Sequence, residues 1–149
     1  SVTAAEGSLY LSGEAGLLYR STDGGANWDR LDASYEGSLF GVLAMDDGSV
    51  LTFGLRGNIF QTIDNGDSWQ SFDNPDPASR SLYGGSVTPG KATILVGTSG
   101  AVISMPAEAN SFEFKQLADR STLSAVTISA GGRVVAVGMD GVRFPMETE

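Results

Sequence analysis

Ser21-Thr22-Asp23-Gly24-Gly25-Ala26-Asn27-Trp28 is echoed by Thr62-Ile63-Asp64-Asn65-Gly66-Asp67-Ser68-Trp69. Both octapeptides read [Ser/Thr]-x-Asp-x-Gly-x-x-Trp, and their tryptophans lie 41 positions apart. A turn motif that returns at such an interval predicts a repeat architecture. A second series runs in the same register. Short apolar segments end in Gly-x-x-Gly four times, with first glycines at Gly13, Gly54, Gly97 and Gly138, stepping by 41, 43 and 41 residues.

Around these anchors each repeat reads as four short strands. The first is Leu39–Met45, Leu82–Thr88 or Leu123–Ser129. A tight turn follows at Asp46-Asp47-Gly48, Pro89-Gly90-Lys91 or Ala130-Gly131-Gly132, where glycine supplies positive φ at little steric cost. The second strand runs into the Gly-x-x-Gly hairpin. The third is Leu17–Ser21, Ile59–Thr62, Val102–Met105 or Val142–Phe144, and the fourth is Trp28–Leu31, Trp69–Phe72 or Phe114–Leu117. No segment has helical periodicity long enough for a helix. The pattern predicts an all-β fold, a β-propeller of four-stranded antiparallel blades rather than a sandwich with coincidental spacing. The blades fall at about 1–34, 38–75 and 81–119, with a partial fourth at about 122–146.

Ser1–Ala5 align with Val42–Asp46, the tail of a first strand, and no fourth strand follows Val142–Phe144. About three and a half blades leave two open sheet edges. The expectation is a C-terminal part of a larger ring, with the remaining blades supplied by a missing N-terminal part or by another chain.

Composition bounds the chemistry. The chain has 149 residues, 41% hydrophobic and 18% charged, with 20 glycines, which suits a turn-rich β protein. Net charge is −9, and only Lys91 and Lys115 are lysines, so nucleic-acid binding is disfavoured. With no cysteine and no histidine, thiol chemistry, thiolate metal sites and the commonest general base are excluded. No metal site and no cofactor is expected. No apolar run approaches the ~20 residues of a membrane span, and no export leader is visible at Ser1-Val2-Thr3-Ala4-Ala5.

The two opening motifs match the Asp box of bacterial neuraminidase repeats. The physical reading is a hairpin staple of Ser21, Asp23, Gly25 and Trp28, and of Thr62, Asp64, Gly66 and Trp69. The carboxylate accepts backbone N–H bonds within its own turn, glycine permits the geometry, and tryptophan packs back across the hairpin. An acid/base or cation role is the weaker alternative, because neither Asp has a second carboxylate at fixed spacing. The third repeat, Ser104-Met105-Pro106-Ala107-Glu108, has lost the Asp, and two extra residues before Phe114 predict a looser hairpin.

Strand alternation puts the Gly-x-x-Gly hairpins on one face with the interblade linkers Asp32–Gly37, Asp73–Ser81 and Ala118–Thr122. This face offers Glu14, Arg56, Arg80, Arg120, Asp76 and Asp140 as candidate binding residues. An arginine rim can grip carboxylates or acidic peptides bidentately. The plainer reading of each arginine is solvated surface charge. Tyr35 and Tyr83 are candidate contact aromatics, although Tyr83 stands in a first strand, where core or channel lining is the ordinary role.

No catalytic residue is assigned. No triad, G-x-S-x-G or phosphate loop is present. Arg143-Phe144-Pro145 only half resembles the Arg-Ile-Pro of sialidases and stands at the wrong end of the chain. A two-carboxylate glycosidase would need acids such as Asp76 and Asp140 brought together.

Residues 18–28 and 50–60 together resemble bacterial proteins related to the photosystem II stability/assembly factor, within the neuraminidase-repeat class. The resemblance spans nearly the whole chain through fold markers rather than site markers. It implies seven-bladed, exported, non-enzymatic propellers that hold partner proteins while membrane complexes assemble. The expected function is therefore a periplasmic or otherwise exported protein-binding scaffold, its partner an envelope or membrane-complex component. The alternative is a carbohydrate-active propeller of the Asp-box class, glycan-binding or hydrolytic.

Overall fold

The structure, a computed structural model, describes residues 1–88, 92–106, 109–129 and 131–146. The turn Pro89-Gly90-Lys91, the residues Ala107, Glu108 and Ala130, and the tail 147–149 lie outside the described residues.

Four antiparallel sheets follow one another along the chain. The first contains β1 (Val2–Ala5), β2 (Ser8–Ser12), β3 (Leu18–Ser21) and β4 (Asp29–Leu31). The second contains β5 (Leu39–Ala44), β6 (Val50–Gly54), β7 (Ile59–Thr62) and β8 (Gln70–Phe72). The third contains β9 (Leu82–Val87), β10 (Thr93–Gly97), β11 (Ala101–Met105) and β12 (Glu113–Gln116). The fourth has three strands, β13 (Leu123–Ile128), β14 (Val134–Gly138) and β15 (Gly141–Arg143). Each sheet is a simple meander, and β1, β5, β9 and β13 neighbour one another in series. That placement of every first strand along one axis defines an arc of propeller blades.

The core lies between blades. Leu18 and Leu31 of the first blade meet Leu39, Val42 and Phe60 of the second. Phe53 and Ile59 then meet Leu82, Leu95 and Phe112, and Val96 and Val102 meet Leu123, Val126 and Ala136. β6 and β10 are buried throughout, as strands covered on both faces must be.

The Gly-x-x-Gly motif works through two different glycines. At the second, Arg56 (φ 57°, ψ 26°) and Gly57 (φ 68°) form a left-handed pair, and Asn58 N–H donates to the Leu55 carbonyl at 3.4 Å. This is the type I′ geometry that matches strand twist. At the first, the requirement is close approach. A Cβ on Gly97 would lie 1.9 Å from the Ser81 carbonyl oxygen, and one on Gly138 would lie 1.9 Å from that of Thr122.

Two sequence expectations are corrected by register. Ser104 pairs with Glu113 as Gln61 pairs with Gln70, so the third hairpin has the same length as the second and carries no extra residues. Phe112, not Phe114, stands in the place of Trp69. The fourth hairpin is shorter than its counterparts, because Gly138 pairs directly with Gly141. The last strand ends at Arg143; Leu18, Ile59 and Val102 are buried under the blade that follows each of them, whereas Val142 belongs to the last of the four blades and is exposed.

Candidate partner-binding face

The Asp boxes are staples, and the hydroxyl residue does as much as the carboxylate. Asp23 accepts from Asn27 N–H at 2.9 Å and from the Asn27 side-chain amide at 2.8 Å. Ser21 Oγ accepts from Gly25 N–H at 2.8 Å while donating to Asp23 at 2.8 Å. Thr62, Asp64, Gly66 and Ser68 repeat the network, with Ser68 in the place of Asn27. Bonds from Asn27 and Ser21 hold the Asp23 carboxyl at a pKa of about 2, and bonds from Ser68 and Thr62 do the same for Asp64. Trp28 folds back over its own turn, its Nε1–H donating to the Gly25 carbonyl at 3.1 Å, and is 38% exposed in the first of the four blades; Trp69 packs in addition against the blade before it.

The opposite face carries the linkers. Arg56 is exposed at the tip of its hairpin, and its backbone N–H donates to Ser81 Oγ at 3.2 Å, which docks that hairpin on the second linker. Arg120 is exposed on the third linker, also left-handed (φ 52°), with its N–H bonded to the Leu117 carbonyl at 3.1 Å. Among the described residues neither guanidinium has a carboxylate partner. Arg80 differs. It lies half-buried against Asp76, with its guanidinium 5.5 Å from the centre of the Phe114 ring.

Asp76 is 2% exposed, and its carboxylate accepts from Ala78 N–H, Arg80 N–H and the Arg80 guanidinium. It organises the Pro75–Pro77 linker from within. Asp140 is exposed on the hairpin of the fourth blade, where its carbonyl accepts from Arg143 at 2.9 Å. These two acids stand on different elements, and Asp76 is already occupied, so the structure does not assemble them as a two-carboxylate centre. Arg143 is likewise structural: it donates to Asp119 at 2.6 Å and to Ser121 at 3.2 Å, fastening the last hairpin to the third linker. The Arg143 bond, with those of Ser121, holds the Asp119 carboxyl at a pKa of about 2.

At the start of the first strands, on the linker side, Tyr83 is joined by Phe40, which sequence reasoning did not single out. Pairing shifts by one residue at the start of β5 and of β9, which leaves Phe40 and Tyr83 as bulged residues. Their rings lie 5.3 Å apart at a tilt of 53°. Tyr83 lines a cavity along the first strands together with Gly41, Gly84 and Ser124. Tyr35, by contrast, spends its hydroxyl on the Leu55 carbonyl at 3.1 Å and packs on Phe60.

The fold is an arc of β-propeller blades, and its linker face exposes Arg56, Arg120 and Tyr83 among several carboxylates. Comparison with known proteins gives a finer likeness. No protein-family model matches the chain. Photosystem II assembly lipoprotein Ycf48 of Prochlorococcus marinus is 38% identical over 65 residues, 43% of this chain and 19% of that protein. The aligned part thus amounts to about a fifth of the curated relative's length. The solved structure of YCF48 bound to D1 peptide superposes with a TM-score of 0.68 at 20% identity, covering 92% of this chain and 45% of that one. An ancestral GH74 enzyme superposes at 0.77 with 15% identity, covering 95% and 22%, and the WD40 beta propeller domain of Doa1 at 0.73 with 13%, covering 95% and 49%. At such identities the solved structures show the fold alone. The curated match names the same group that residues 18–28 and 50–60 resemble: the chain is a β-propeller similar to photosystem II assembly factors.

Proposed function

We propose that this chain is part of a non-enzymatic, protein-binding propeller of the assembly-factor kind, which holds its partner on the linker face. The observation that carries the reading is the pair of unpartnered guanidiniums, Arg56 and Arg120, on the face that also presents the Phe40–Tyr83 step. Both arginines are held in left-handed backbone, so their Cα positions are set by the hairpin and linker before any partner arrives. Aromatic surface and arginine are the residue types that anchor protein interfaces, and a free guanidinium fork suits a carboxylate-bearing peptide. Likeness to proteins named as photosystem II assembly lipoproteins supports the same reading, as does likeness to a YCF48 bound to a D1 peptide. On it, the protein is exported to the periplasm, its partner belongs to a membrane complex, and further blades come from upstream sequence or from another chain. Arg80 contributes as a rigid wall of the second linker, with Asp76 as its internal brace.

The test is fluorescence anisotropy with a labelled D1 peptide on the full chain. Arg56→Ala with Arg120→Ala should weaken binding at least tenfold, and Tyr83→Ala should do so independently. Unchanged affinity in the double variant ends the arginine proposal. Hydrolysis on a glycan panel would end the scaffold reading.

A further inference from the structure

We propose that the gap between the second and third blades, on the Asp-box side and away from the linker face, is a slot for a lysine or arginine side chain of a partner protein. Two neighbouring interfaces of the same molecule differ in how this space is filled. Between the first and second blades, Arg20 reaches across from β3 to the second Asp box, where its guanidinium donates to the Asn65 carbonyl at 2.5 Å and to Asp67 at 3.3 Å. The side chain is largely buried, 20% exposed, so it fills the space between those blades.

One repeat later the register puts Gln61 in the position of Arg20, since Gln61 pairs with Leu51 as Arg20 pairs with Tyr10. Gln61 is shorter and turns back into its own blade, donating to Ser49 Oγ at 3.0 Å. Among the described residues, the space that a guanidinium fills in the first interface is a cavity of about 250 Å³ in the second. Its floor is apolar, with Met45, Phe72 and Met105, and its mouth carries Asp46, Asn110 and Asp47, the last bonded to Ser49. The aliphatic stem of lysine or arginine suits such a floor, while the charged head stays at a carboxylate-bearing mouth. Two thioethers add a soft, adaptable lining. A neutral apolar occupant would gain nothing from the hydrated Asp46 carboxylate at the rim, whereas a cation would, and an anion would be repelled by a molecule of net charge −9. The charge and shape together commit the slot to a cationic side chain.

The test uses the ¹⁵N-labelled full chain and three capped tripeptides, with arginine, lysine or norleucine at the centre. Saturable shifts of the Gln61 and Asn110 amides are expected with the two cationic peptides and not with norleucine. Gln61→Arg restores in cis what Arg20 supplies next door, and should abolish the response while melting at or above the wild-type temperature. Asp46→Asn, on an exposed turn, should weaken it at least threefold, whereas Arg56→Ala should leave it unchanged, which separates this site from the linker face. Equal shifts with norleucine, a response that survives Gln61→Arg, or indifference to Asp46→Asn would each overturn the slot.

Discussion

Leu31 of the first blade seats on Gly66 of the second: a Cβ built on Gly66 would lie 2.7 Å from Leu31 Cδ1. The same residue holds φ at +93°, so this one glycine serves both the turn and the contact between blades. Gly25, its counterpart in the first Asp box, has φ +95° but meets Leu9 Cδ1 only at 3.6 Å. Alanine at either site suffers the backbone strain, and only at Gly66 does it also overpack a neighbour. Leu31 Cδ1 is the movable end of its side chain, so Gly66→Ala should destabilise the fold by about 1 kcal/mol or less beyond Gly25→Ala. Thermal melting of the two variants side by side measures the difference.

Both Asp boxes make acid sensitivity local. Asp23 and Asp64 are held at a pKa of about 2 against an ordinary 3.8. A depressed folded-state pKa contributes stability that is fully present above the ordinary value and is lost as pH falls through the folded one. Melting temperature should thus respond to these groups only below about pH 4, declining towards pH 2. Asp64→Asn should flatten part of that decline; a profile indifferent to the substitution would show that the staple carries no linked stability.

The blades were legible in the sequence because their markers are local. Gly97 and Gly138 are needed where a carbonyl passes at 1.9 Å from the position of a Cβ, and the left-handed pair that closes the hairpin at Arg56-Gly57 is set by its own four residues. The Asp boxes likewise close on themselves within eight residues. What depends on a neighbouring blade could not be read. Trp69 packs against the blade before its own, a contact that its motif does not encode. Phe40 and Tyr83 form a step because both first strands carry a bulge at the same place, and a bulge leaves no composition signal. Asp76 looked like a surface ligand in a proline-rich linker, but that linker folds inward around it. Strand register also hid the place of Phe112, because the third repeat keeps its hairpin length while losing the motif that marks it.

The brace at Asp76 has a measurable cost of removal. Its carboxylate is buried and satisfies two backbone N–H groups as well as the Arg80 guanidinium. Asp76→Ala would orphan all three donors, and about 2–4 kcal/mol of stability should be lost by urea titration. Because the second linker also docks the Arg56 hairpin through Ser81, the same variant should weaken the peptide binding proposed for the linker face without touching an exposed charge. Intact stability with intact binding would show that Pro75 and Pro77 alone hold the linker.

Arg20 tests how the blades adhere where the interface is polar. Its partner Asp67 is 75% exposed, so the ion pair itself is screened and contributes at most about 1 kcal/mol. The bond to the Asn65 carbonyl and the packing of the buried stem are independent of Asp67. Arg20→Gln should therefore cost more than Asp67→Asn, and a double-variant cycle should show a coupling below about 1 kcal/mol. If the coupling accounts for the whole effect of Arg20→Gln, the guanidinium acts as a surface charge rather than as filler. The first interface would then lose its value as the template for the slot beside Gln61.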